Sequence, residues 1–236
     1  MGTLLMGAAL AGCAGSSPAG DLAPQPPTQA GISYLALGDS YTIGESVAPN
    51  GRWPNQLAHA LRAQGIALAD PRIIATTGWT TDELSDAMDA ADVNAPLGHY
   101  GFVSLAIGVN NQYRGRDVGN YRVELTALLE RAIRLAEGNP QHVVMLSIPD
   151  WGVTPFARES GRELKQITDE LDAYNAAAQD ICRAHGVAFV NITHVSRASG
   201  AQPGMLAEDG LHPSAAMYVE WTRLVLPVVR ELLAGK

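Results

Sequence analysis

Five short apolar runs, at residues 32–37, 72–75, 102–107, 142–148 and 188–191, alternate with longer stretches of helical periodicity, and this pattern limits the possible folds more than any other feature. The runs are nearly continuously apolar, as parallel strands covered on both faces require. The first long stretch predicts a helix over 53–64, closed by Gly65, and a second helix starts near Thr81. Tyr121, Leu125, Leu128, Ala132 and Leu135 fall at helical spacing on a third. Leu164, Ile167, Leu171, Tyr174, Ala178 and Ile181 predict one face of a fourth. The last helix is expected over 214–233, with a kink at Pro227. Such alternation folds through right-handed crossovers into a parallel sheet between two helical layers. With 236 residues, 47% of them apolar, the chain can bury one full core, and it shows no repeat and no second domain.

In open parallel sheets, ligands bind beyond the carboxyl ends of the strands, so the residues after each apolar run carry the functional information. Gly38-Asp39-Ser40-Tyr41 follows the first run, Thr77-Gly78-Trp79-Thr80 the second and Gly108-Val109-Asn110-Asn111 the third. Asp209-Gly210-Leu211-His212-Pro213 enters the last helix. A serine hydroxyl is a weak nucleophile until an adjacent base takes its proton. His212 can be that base, and Asp209 lies three residues before it, within reach across a turn that Gly210 permits. Pro213 is expected to start the last helix.

These four polar stretches, in this order, resemble the GDSL-type lipases and esterases, also called SGNH hydrolases. The resemblance covers nearly all of residues 32–233 and maps the family's Ser, Gly, Asn and His onto Ser40, Gly78, Asn110 and His212. It implies a three-layer α/β/α fold with a flavodoxin-like, five-stranded parallel sheet. It also implies a Ser40–His212–Asp209 triad and an oxyanion hole formed by the amides of Ser40 and Gly78 and the carboxamide of Asn110. The reaction implied is hydrolysis of small or medium acyl esters through an acyl-enzyme. The alternatives are a thioesterase, a lysophospholipase, a carbohydrate O-deacetylase, or an inactive envelope lipoprotein on the same fold. No metal or organic cofactor is implied, and the substrate would be a small-molecule, lipid or sugar ester.

Two positions depart from the family pattern. Asn111 stands where Asp is usual, with a local structural role expected, and Tyr41 stands where Leu is usual, expected to pack. Asp39 reads as a structural acceptor holding the turn. His59, His99, His142, His185 and His194 read as structural or surface residues. Trp79, Tyr113 and Trp151 are candidates either to line the substrate pocket or to cover loop backbone. No serine has glycine at both flanking positions, which excludes the elbow of the α/β-hydrolases, and neither His-Glu-x-x-His nor a P-loop is present. The net charge of -8, without any run of Lys or Arg, argues against a nucleic-acid partner.

Residues 1–13 are similar to a bacterial lipoprotein signal, with a short apolar stretch ending in Leu10-Ala11-Gly12-Cys13, and Cys13 is the expected lipidation site. No Lys or Arg precedes that stretch, a departure from the usual basic start. Residues 14–30, with four prolines, read as a tether to a hydrolase domain over 31–236. The expected location is the bacterial cell envelope, lipid-anchored or periplasmic/secreted, with membrane contact through the anchor alone. Cys182 is then left without a disulfide partner and reads as a small buried apolar residue.

Overall fold

The computed structural model describes Met1 and residues 31–94, 97–200 and 202–234. Cys13 and the 14–30 segment lie outside the described residues. Five strands form a single, wholly parallel sheet: β1 (Tyr34–Gly38), β2 (Arg72–Ala75), β3 (Phe102–Ala106), β4 (Val143–Leu146) and β5 (Ala188–Val190), in the spatial order β2-β1-β3-β4-β5. Every residue of β1, β3 and β4 is buried, which explains why these runs carry no polar alternation.

The helices are α1 (Ser40–Ile43), α2 (Trp53–Ala63), α3 (Thr81–Asn94), α4 (Val109–Tyr113), α5 (Val118–Leu135), α6 (Pro155–Glu159), α7 (Leu164–His185), α8 (Thr193–Ser199) and α9 (Ala215–Leu233). α2 packs against α9, and α5 packs against both α3 and α7, giving the expected two helical layers. The predicted stripe of α5 is inward: Tyr121, Leu125, Leu128 and Ala132 are buried, and the Tyr121 ring stacks on Tyr174 of α7 with centroids 4.5 Å apart. Burying each leucine on that stripe contributes about 1.5–3 kcal/mol. Cys182 is fully buried, its thiol pushed up to about 12 by loss of solvent, as befits an inert core residue.

Except for β2, the strands are shorter than the apolar runs. β4 ends at Leu146: the Ser147 N–H still donates to the Val190 carbonyl of β5, but from Ile148 onward the backbone N–H groups turn to side chains of α7 and α8. Leu164 is a second correction: at 39% exposure it heads α7 without joining its buried face. Pro213 does not start the last helix. It forms an isolated bridge with Leu206, and Ser214 is the N-cap, its Oγ accepting from the Met217 N–H at 3.3 Å. α9 runs from Ala215 to Leu233 with Pro227 inside it.

The sheet order reverses between β1 and β3, so the loops after these two strands diverge and open a crevice at their carboxyl ends. The 38–41 and 108–111 stretches flank that crevice.

Candidate active site

Ser40 is the first residue of α1, directly beyond the end of β1. Asp39 caps this short helix, its Oδ1 accepting the Tyr41 N–H at 3.0 Å. Asp39 is 1% exposed, and burial drives its carboxyl up to about 7 despite that hydrogen bond. It is the structural acceptor expected from the sequence. Tyr41 packs as expected, but its neighbour is informative: the ring lies edge-on to the His212 imidazole, centroids 5.7 Å apart. Trp221 supports Tyr41 from behind, and the Tyr218 hydroxyl donates to the Tyr41 carbonyl at 3.0 Å.

Asp209 and His212 meet across the turn at Gly210, whose φ is +67°. Asp209 Oδ2 lies 2.7 Å from His212 Nδ1, and Oδ1 accepts the N–H groups of Leu211 and His212 at 2.9 Å each. Partial burial acts to raise the Asp209 carboxyl, but the hydrogen bonds from the His212 ring, the His212 N–H and the Leu211 N–H outweigh it and hold the carboxyl below its ordinary range. With Nδ1–H donated to the carboxylate, Nε2 keeps its lone pair. Ser46 adds a contact that sequence reasoning missed: its Oγ donates to Asp209 Oδ2 at 3.4 Å, and its φ of +61° is left-handed.

Ser40, Gly78, Asn110 and His212 all border one cleft of about 170 Å³. No hydrogen bond joins Ser40 Oγ to the imidazole among the described residues, and contacts of this kind often tighten only around substrate. Gly78 has φ +90°, a conformation that a side chain would strain, and its N–H makes no hydrogen bond among the described residues. Asn110 Nδ2 donates to the Trp79 carbonyl at 2.9 Å, which fixes the carboxamide and leaves its second N–H for another acceptor. Asn111 is fully buried. Its Oδ1 accepts the Thr81 N–H at 3.1 Å and its Nδ2 donates to Thr81 Oγ1 at 2.6 Å, so it ties α4 to the start of α3, the local structural role expected of it.

Apart from Thr77, the rest of the cleft wall is apolar or aromatic: Tyr41, Val109, Tyr113, Trp151, Phe156 and Leu211. Of the three aromatic candidates, Tyr113 and Trp151 line the cleft. Trp79 does not border it, and its contact with the site is through its backbone carbonyl, which accepts from Asn110. Trp151 is anchored by its indole N–H, which donates to Gln112 Oε1 at 2.8 Å, and by the Arg162 guanidinium 5.7 Å above its ring. Phe156 went unrecognised in the sequence because it lies on α6, a single short turn with no periodic signal. No cluster of three or more His, Cys, Asp or Glu suited to a metal is formed among the described residues.

Several solved structures share this fold. TesA is 18% identical, with 85% of this chain and 99% of that one covered and a TM-score of 0.65. A lipase/acylhydrolase from Enterococcus faecalis is 19% identical, with coverage of 87% and 98% and a TM-score of 0.65. The acetylxylan esterase Axe2 from Geobacillus stearothermophilus is 21% identical, with coverage of 84% and 94% and a TM-score of 0.62. Among curated proteins, none matches the sequence. Residues 36–219 match the model of the GDSL-like lipase/acylhydrolase family, a stretch that begins within β1 and holds β2 to β5 and every triad and oxyanion-hole candidate. The chain therefore belongs to the GDSL-like lipase/acylhydrolase family and is a carboxylic ester hydrolase.

Proposed function

We propose that the protein hydrolyses uncharged esters of short to medium acyl chain through an acyl-enzyme on Ser40. One observation carries this reading: Ser40, Gly78, Asn110 and His212 border a single cleft, while Asp209 holds His212 by Nδ1. Ser40 Oγ attacks the ester carbonyl carbon as His212 Nε2 takes the hydroxyl proton. The carbonyl electron pair moves to oxygen, where the N–H groups of Ser40, Gly78 and Asn110 Nδ2 receive the negative charge. Collapse breaks the bond to the leaving oxygen, which takes the proton from His212 Nε2 and departs as the alcohol. Water then gives a proton to Nε2 and attacks the acyl carbon. The second collapse releases the acid and returns the proton to Ser40 Oγ.

The apolar wall has no charged side chain, which suits an uncharged substrate. A second reading, carbohydrate O-deacetylation, is favoured by Tyr113, which is 48% exposed at the cleft and offers an aromatic surface to a sugar ring. The test is hydrolysis of p-nitrophenyl esters from acetate to dodecanoate, beside acetylated oligosaccharides, by wild type and Ser40→Ala. Loss of turnover in the variant supports the nucleophile, and turnover by folded Ser40→Ala refutes it. Folded wild type that neither hydrolyses any ester nor reacts with a fluorophosphonate would be an inactive relative.

We further propose, from the sequence alone, that the enzyme works in the cell envelope, tethered through acylated Cys13. Release of Cys13→Ser from the membrane fraction would support the anchor, and unchanged fractionation would refute it.

A further inference from the structure

We infer that Arg114 is a positioning residue for the oxyanion hole, acting through the carbonyl of Gly78; the inference rests on the function proposed above. Arg114 is the C-cap residue of α4, four positions beyond Asn110, with its N–H donating to the Asn110 carbonyl at 3.0 Å. Its Nη2 donates to the Gly78 carbonyl at 2.6 Å, and its Nη1 to Glu83 Oε1 at 3.0 Å. Glu83 Oε2 in turn accepts the Thr80 N–H at 2.9 Å at the head of α3. Two side chains one helical turn apart on α4 thus hold two consecutive carbonyls of the facing loop: Asn110 holds that of Trp79 and Arg114 that of Gly78. On the other side of Gly78, the Thr77 hydroxyl hydrogen-bonds to Glu45.

This arrangement addresses a specific weakness. Gly78 has no side chain to pack, lies outside any helix or strand, and has a φ of +90°, so apart from the turn closed by the Trp79 N–H on the Thr76 carbonyl at 3.3 Å its peptides must be held from outside. An oxyanion donor is effective only when its direction is set before charge develops. The guanidinium fork fixes the peptide that follows Gly78 and couples it to both α3 and α4. Lysine cannot reproduce two parallel donors in one plane. A purely structural reading treats the same contact as a surface ion pair with Glu83, whose side chains are 43% and 39% exposed, and such pairs contribute little to stability. The two readings differ in what they move: the structural one leaves the turnover of folded enzyme unchanged, whereas the positioning one lowers it.

The experiment compares wild type with Arg114→Ala, Arg114→Lys and Glu83→Gln on a p-nitrophenyl ester, with melting temperatures measured alongside. Arg114→Ala is expected to lower kcat about ten- to hundredfold with KM within about twofold and little change in melting temperature. Arg114→Lys should recover only part of that loss. Glu83→Gln, which keeps the Gly78 contact, should lose less than Arg114→Ala. Millimolar guanidinium should raise turnover of Arg114→Ala, and the same concentration of sodium chloride should not. Combined with Asn110→Ala, the loss should be smaller than the product of the two single losses, since both act on one loop. Wild-type kcat in folded Arg114→Ala, or a loss matched by unfolding at the assay temperature, would overturn the inference. Wild type that is folded yet inert toward both ester and fluorophosphonate would instead overturn the proposed function, so the two failures are distinguishable.

Discussion

Replacing Asp209 by Asn separates the charge of the proposed triad carboxylate from its shape. Asp209 has two jobs on two oxygens: Oδ1 accepts the Leu211 and His212 N–H groups, and Oδ2 faces His212 Nδ1 at 2.7 Å. An asparagine can keep the first job with its carbonyl oxygen, so the turn and the fold should survive. Its amide then presents N–H to Nδ1 and moves the imidazole proton to Nε2, leaving no base for Ser40. The lost charge is also costly. Two unit charges about 4 Å apart at an effective dielectric of about 20 interact by about 4 kcal/mol. Asp209 is one-third exposed, which lowers this to about 3 kcal/mol. At 1.36 kcal/mol per tenfold, kcat falls at least about a hundredfold, and the wrong tautomer carries the loss toward about 10⁴-fold. The assay is kcat on p-nitrophenyl butyrate, with melting temperature recorded on the same protein. Asp209→Ala is the companion, because it also removes the acceptor of two solvent-accessible N–H groups and should cost about 0.5–1.5 kcal/mol of stability that the Asn variant keeps. Folded Asp209→Asn with kcat within tenfold of wild type would refute the assignment of Asp209.

Three further outcomes are expected. Asn110→Ala should lower kcat by about 10²–10³, or about 2.7–4 kcal/mol of transition-state stabilisation, and unchanged turnover would remove Asn110 from the oxyanion hole. Asp39 has its carboxyl raised from 3.8 to about 7 by burial, so its protonated form is favoured in the fold. Its contribution to stability is fully present below about pH 3.8 and lost as pH rises through 7, a change of about 4 kcal/mol. Asp39→Asn should therefore remove a downward slope from the stability curve between these pH values, and parallel curves for the two proteins would contradict this. Arg197 Nε pairs at 2.9 Å with Asp150, which is 1% exposed and also accepts the Gly152 N–H and the Thr168 hydroxyl. Arg197→Met should cost about 3–5 kcal/mol in denaturant unfolding by leaving a buried charge poorly compensated, and a loss below 1 kcal/mol would show the pair to be dispensable.

The α/β order was legible because its signals are local. Apolar runs, helical periodicity and the glycines after strands are each read within a few residues, and parallel pairing follows from the alternation itself. The Asp209–His212 pair was legible for the same reason, lying within one turn of chain. Recognising the four polar blocks together supplied Gly78 and Asn110, whose roles no single stretch announces.

What remained hidden depends on pairs of residues far apart in sequence. Ser46 meets Asp209 across 163 positions, Arg114 meets the Gly78 carbonyl across 36, and Tyr41 sets its ring against His212 from the opposite end of the chain. Residues 164 and 167 share the same helical pattern, yet Ile167 is buried and Leu164 is exposed, because only the neighbouring elements decide how far a core extends along a helix. Phe156 enters the cleft wall because the loop after β4 folds back on itself, which composition does not encode. Local propensity and spacing determined the elements and set Ser40 beyond the first strand and Asp209 beside His212 in one turn. The tertiary structure alone decided the cleft's walls and the clamp on its glycine, since these contacts exist only after distant parts of the chain have closed on one another.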